Sequence, residues 1–109
     1  MYRQGDLLFI PTEEKPPEGL RQVQPEEGEV ILARGEATGH KHTVPAVGVA
    51  LLEKPHSGEL EERWLQVLDD SGITVKHQEH GDLQLPKGNF RVVRQREHNP
   101  DGGSQSSLD

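Results

Sequence analysis

Short apolar runs alternate with Gly, Pro and Asp clusters along nearly the whole chain, and no long stretch keeps a helical period. A short strand cannot bury its apolar face alone, so a chain written this way must pair strands into sheets and pack them. The expected fold is all-β, a small antiparallel β-barrel or sandwich. Expected strands are Gly5 to Pro11, Glu29 to Arg34, Thr38 to Val44, Val47 to Glu53, Arg63 to Leu68, Ile73 to Glu79, Asp82 to Leu85 and Asn89 to Glu97.

The turns carry their own chemistry. Asp69-Asp70-Ser71-Gly72 joins two apolar alternations as a hairpin, and Pro86-Lys87-Gly88 supplies a fixed φ followed by a permissive one. Pro11 to Glu27, with Pro16-Pro17-Glu18-Gly19, reads as a long surface loop. Leu60, Trp64 and Leu68 repeat every four residues and mimic a helix, but no cap precedes them and a turn follows, so loop then strand is expected. After His98 the chain becomes Asn-Pro-Asp-Gly-Gly-Ser-Gln-Ser-Ser-Leu-Asp, too polar to offset the entropy of ordering it. Residues 1–98 therefore read as one all-β domain and 99–109 as a flexible C-terminal tail.

Only 30% of the 109 residues are hydrophobic, and Phe9, Phe90, Tyr2 and Trp64 supply all the aromatic area. So lean a core calls for help from a partner subunit or a bound metal, and a homo-oligomer is expected. A net charge of −7 disfavours phosphate backbones and anionic membrane surfaces, so neither nucleic acid nor membrane is an expected partner. Arg91, Arg94 and Arg96 form a local basic strand, read as an exposed strand charged against edge pairing. The apolar run at the N-terminus is too short for a signal peptide or a membrane span, and a cytoplasmic location is expected. With no cysteine, disulfides and thiolate metal sites are excluded, and any metal must be held by nitrogen and oxygen.

Four of the six histidines fall in two couplets, Gly39-His40-Lys41-His42 and His77-Gln78-Glu79-His80. On a strand, residues two apart share a face, so His40 and His42 point the same way as Val44. By the same parity His77 follows Ile73 and Val75 on the apolar side. A buried imidazole without partners is costly, whereas coordination to a divalent ion at roughly 2.0–2.1 Å would satisfy several rings at once. His80 breaks the parity and joins only if the strand ends near Glu79; otherwise Glu79 takes the fourth position. His56, in a loop, and His98, at the tail boundary, are expected to be solvated.

Other chemistries fit less well. Gly35 to Thr43 has a phosphate-loop flavour, but no lysine directly follows its second glycine and no helix follows. Thr43 and Ser57 are the hydroxyls beside histidines, yet sequence neighbours on a strand face opposite ways. The Glu26-Glu27, Glu61-Glu62 and Asp69-Asp70 pairs sit in loops and turns, where charge is ordinarily solvated.

His40-x-His42 followed much later by His77, together with Pro86-x-Gly88, resembles the ligand order of cupins, double-stranded β-helix barrels that hold a metal within the barrel. The chain departs from that pattern in two ways. Thr43 to Leu52 contains no carboxylate, and His77 and His80 precede the Pro-x-Gly turn instead of following it. More narrowly, GEATGHKHTV, HQEHGDLQLPKGNFRVVRQREH and RQGDLLFIP resemble a family of short, functionally uncharacterised bacterial and phage proteins. That resemblance implies a stand-alone domain with signature histidines and brings no activity.

Two functions compete on these readings. One is a metal-binding β-barrel with His40, His42 and His77 as ligands and His80 or Glu79 completing the set. Zn, Fe, Ni or Cu suits the all-nitrogen case, and Mn or Fe(II) suits the case with a carboxylate; an open position would also admit a small-molecule ligand. The other is a non-enzymatic interaction or assembly module with structural or pH-responsive histidines. A metal-free hydrolase with His77 or His80 as general base ranks last, because no nucleophile is evident. The sequence names no reaction.

Overall fold

The structure is a computed structural model that describes residues 1–35, 39–56, 61–95, 97–98 and 104–105. Its larger layer is a six-stranded antiparallel sheet in the order β1 (Tyr2–Gln4), β2 (Leu7–Thr12), β10 (Gly88–Arg94), β7 (Arg63–Val67), β6 (Val49–Glu53) and β3 (Arg21–Gln22). Period-2 alternation is realised directly. Leu7 and Phe9, Phe90 and Val92, Leu65 and Val67, and Val49 and Leu51 point to one face and are buried.

The second layer is built from two hairpins, β4 (Glu29–Arg34) with β5 (Lys41–Pro45) and β8 (Ile73–Val75) with β9 (Leu83–Leu85). A bridge joins them: Thr43 N donates to Lys76 O at 2.9 Å and Lys76 N returns to Thr43 O at 2.8 Å. Val30, Leu32, Val44, Ile73, Val75 and Leu85 face the larger sheet and complete one core. Each large apolar side chain removed from water here contributes about 1.5–3 kcal/mol. A β-bulge between Ile31 and Ala33 lets Val30, Leu32 and Ala33 all turn inward, and it sets Ala33 opposite His42. The remaining strands, β11 (Glu97–His98) and β12 (Ser104–Gln105), pair with each other; the other residues of 99–109 lie outside the described ones.

The fold is therefore all-β and sandwich-like. The larger sheet ends in β1 and β3 and does not close on itself, so of the two expected forms it is the sandwich, not the closed barrel, that fits. Among the described residues no helix is long and apolar enough to cross a membrane.

Several boundaries shift. The first expected strand is a hairpin, β1 and β2 around Gly5-Asp6, and the long loop contributes β3, whose Arg21 and Gln22 pair with Glu53 and Leu52. The region that mimics a helix forms β7 from Arg63 onward, and Leu60 lies outside the described residues. The strand carrying Arg91 and Arg94 is not an exposed edge: β10 lies between β2 and β7. Arg91 bonds Glu62, and this hydrogen bond lowers the Glu62 carboxyl pKa and raises that of the guanidinium. Arg96 lies outside the described residues.

The Asp69–Gly72 turn forms as expected, with Gly72 N donating to Asp69 O at 2.9 Å. Gly72 has φ +76°, and a Cβ there would meet the Leu85 carbonyl oxygen at 2.2 Å. Gly19 also has positive φ, +87°, but open space around it. Gly72→Ala should therefore lower stability by more than about 2 kcal/mol in urea unfolding, and Gly19→Ala by about 1 kcal/mol, the left-handed conformation alone. Equal losses would show that the close approach to Leu85 is not limiting.

Candidate functional site

β5 carries His42 inward beside Val44, and His40 immediately precedes the strand, where its carbonyl accepts from Gly35 N at 2.7 Å. On the neighbouring hairpin, β8 stops at Val75 and the ladder at Lys76, sooner than the expected strand end at Glu79. The cause is local. His77 Nδ1 accepts from the amides of Glu79 at 3.0 Å and His80 at 3.2 Å, so the chain curls around the ring and cannot continue the ladder. This curl places His80 on the same side as His77, which an extended strand forbids.

The four imidazoles come together. Ring centroids are 4.4 Å apart for His42 and His77, 4.6 Å for His77 and His80, 5.7 Å for His40 and His77, and 6.1 Å for His42 and His80. His42 is fully buried and His77 is 8% exposed, while His40 and His80 are half-buried. Glu79 is exposed and sets Oε1 3.4 Å from His40 Nδ1. His80 and Glu79, expected to be rivals, thus both reach the cluster, His80 against His42 and His77 and Glu79 at His40. His56 sits apart, in a turn after β6 with φ 64°, and His98 lies in β11.

Three polar residues behind His42 carry no signal in the histidine couplets. Gln4 Nε2 donates to the carbonyls of Val75 and Gly81, both at 2.9 Å, which orients its Oε1 toward His42 Nδ1 at 2.8 Å. Asp6 places Oδ1 3.4 Å from His42 Nε2, and its Oδ2 accepts from Arg94 Nε at 2.7 Å. Arg94 also donates to the Arg34 carbonyl at 2.8 Å. Gln4 and Asp6 are 3% and 2% exposed. A signal for one of the three exists elsewhere: Arg94 is in phase with Phe90 and Val92, an arginine on an apolar face. Arg63 repeats the pattern, in phase with Leu65 and Val67, and donates to the Leu32 carbonyl across the core.

These bonds fix which nitrogens can do chemistry. The Gln4 oxygen only accepts, so His42 Nδ1 donates to it, and the Nε2 side of the ring is turned to Asp6 Oδ1. His77 Nδ1 accepts two amides and so presents a lone pair to them, which puts the proton of the neutral ring on Nε2. Among the described residues, no group of three or more His, Asp or Glu side chains has its donor atoms converged in the manner of metal ligands. Ring spacing nevertheless fits one: imidazoles on a common tetrahedral ion have centroids about 5 Å apart. Turning the His77 ring would direct a lone pair at such an ion. An open polar depression of 320 Å³ over the Thr43–Lys76 bridge, flanked by Lys41, Gln78 and Asp82, reaches His77 from solvent.

A family model described as "Domain of unknown function (DUF8820)" matches residues 3–95. The chain belongs to this family. The matched span holds every residue of the cluster, from Gln4 to Arg94, and excludes His98. No curated protein and no solved structure matches the chain. Membership in DUF8820 brings no activity with it, so function has to be argued from the cluster.

Arg94 neutralises a carboxylate that water does not reach. Arg94→Met should remove that charge at similar length, strip Asp6 of its Arg94 hydrogen bond and lower stability by about 3–5 kcal/mol in urea unfolding. A loss below about 1 kcal/mol would show that the pair behaves as a surface salt bridge.

Proposed function

We propose that this protein binds a divalent transition metal through the histidine cluster, with His42 as the buried ligand and His40, His77 and His80 closing around the ion. The observation that carries the reading is the packing of four imidazoles from two separate hairpins within 4.4–6.1 Å of one another along the chain of contacts His40, His77, His42 and His80. Solvated histidines have no reason to gather, and a buried gathering becomes unfavourable once any of them is charged. A shared cation turns the same arrangement into a favourable one. Gln4 adds support, since a ring whose far nitrogen is held by a hydrogen bond is the usual form of a metal-ligating histidine.

The donor chemistry fits Zn, Fe, Ni or Cu, with Mn admitted if a carboxylate participates. A bound ion would supply Lewis acidity, and His77 beside the 320 Å³ depression would give a small molecule access to it. The order of His40, His42 and His77 along the chain is cupin-like, though the second hairpin holds His77 ahead of the Pro-x-Gly turn.

Elemental analysis of untagged protein tests this. Wild type should carry about one equivalent per chain or gain it on adding Zn, with a rise in melting temperature. His42→Ala should lose it and His56→Ala should keep it. Occupancy should fall on acidification through about pH 6–7, where protons compete for free imidazole. Less than about a tenth of an equivalent in wild type, with no thermal shift for Zn, Mn, Fe(II), Ni or Cu, would sink the reading.

A second reading, an assembly module that self-associates, is favoured by a different surface. The outer face of the larger sheet carries Leu8, Ile10, Leu52, Trp64 and Val93, all half-buried, around the Arg91–Glu62 pair. Large apolar side chains on an uncovered sheet face are a recurrent mark of subunit contact. Sedimentation of wild type should give a homodimer or larger species, and Trp64→Lys should shift it to monomer. A monomeric wild type at micromolar concentration would remove this reading without touching the metal one.

A further inference from the structure

We infer that Asp6 is a ligand of the same ion, a carboxylate delivered from the β1–β2 turn at the far end of the sequence from the second histidine couplet. The inference rests on the metal-binding reading and adds the donor that reading lacks. His42 Nδ1 is committed to Gln4 Oε1 at 2.8 Å, and the Gln4 amide cannot turn over without breaking its bonds to the carbonyls of Val75 and Gly81. His42 therefore reaches a metal through Nε2 alone. The group in front of Nε2 is Asp6 Oδ1, at 3.4 Å.

That separation is compatible with a shared ion. Two donors each about 2.1 Å from one ion, at an angle between 90° and 110°, stand about 3.0–3.4 Å apart. His42 Nε2 and Asp6 Oδ1 are thus spaced as one edge of a coordination polyhedron and lie beyond the usual hydrogen-bond range. An ion held by His42 Nε2 would lie next to this carboxylate. Arg94 bonds the other oxygen, Oδ2, at 2.7 Å and so orients the carboxylate with Oδ1 toward His42.

The addition changes the chemistry of the site. A donor set of imidazoles with one fixed carboxylate oxygen carries a negative charge to offset part of the ion's, and it favours Zn, Mn(II) and Fe(II) over softer ions.

Co(II) titration of the full untagged chain, followed by visible absorption, tests this alongside the structure of the Zn-loaded wild type. Asp6→Asn should weaken Co(II) binding by at least about a hundredfold, beyond the usual effect of losing an outer partner, and shift the ligand-field bands of whatever remains bound. In the Zn-loaded wild type Asp6 Oδ1 should lie at about 2.0–2.2 Å from the ion. This measurement stands even if Asp6→Asn does not fold. Zn bound to His42 Nε2 with Asp6 Oδ1 more than about 3 Å away would overturn the inference and leave the metal reading intact. Wild type that takes up neither Co(II) nor Zn overturns both.

Discussion

The Gln4 side-chain amide is the joint on which this structure turns. Its nitrogen grips the carbonyls of Val75 and Gly81, on either side of the curled segment that carries His77 and His80, and its oxygen receives His42. One side chain on the first strand thereby ties the larger sheet to both hairpins of the second layer. Its setting makes this effective. Gln4 is buried, so every bond it makes lacks competition from water, and every bond it failed to make would leave a desolvated group unsatisfied. The apolar core holds the two layers together. The amide adds hydrogen bonds of 2.8–2.9 Å to three separate segments.

Asp6 and Arg94 extend the same constraint to the opposite side of His42. Arg94 leaves β10 and Asp6 leaves the β1–β2 turn, and the guanidinium goes on to the Arg34 carbonyl at the end of β4. His42 is held between an amide oxygen and a carboxylate, on a strand whose partner places only Ala33 opposite. The imidazole at the centre of the cluster is therefore oriented by three strands and a turn, none of which contains a histidine of the couplets.

Strand parity made one half of the candidate site legible in the sequence. Val44 and His42 share a face, His77 continues the apolar face of Ile73 and Val75, and both expectations match the burial observed. Parity failed where a side chain altered the backbone: His77 captures the amides of Glu79 and His80, ends the strand early and brings both contested residues to the cluster. It also stayed silent about partners distant in sequence. Asp6 and Arg94 are 88 residues apart, and nothing local marks Asp6 as buried in a hairpin turn. Arg94 and Arg63 are each in phase with two apolar neighbours, and that phase, not the local basic charge of Arg91, Arg94 and Arg96, is the sequence signal for an inward-facing arginine. β1 and β3 are too short, at three and two residues, for alternation to declare itself.

The two ends of the cluster differ in a way that bears on how an ion would be taken up. At the inner end His42, Gln4 and Asp6 are buried, the Arg94 side chain is 5% exposed, and the four are bonded in two pairs, so their geometry is set before anything arrives. At the outer end His40 and His80 are half-buried, Glu79 is exposed, and His77 is held by two amides of a bend that no strand ladder reinforces. Under the metal reading, the inner end contributes preorganisation and the outer end contributes adjustment. The His77 ring must exchange its amide contacts for the ion, and the segment from Gln78 to Gly81 that carries them is a bend outside the strand ladders, tied to its neighbours by the bonds of Lys41 N to Gln78 Oε1 and of Gln4 to Gly81. Coordination would then be coupled to the conformation of this bend, and through Gln4, which bonds Gly81, to the registry of the two layers. A site assembled in this order gains affinity from its rigid half and leaves access to its adjustable half, which faces the depression at His77.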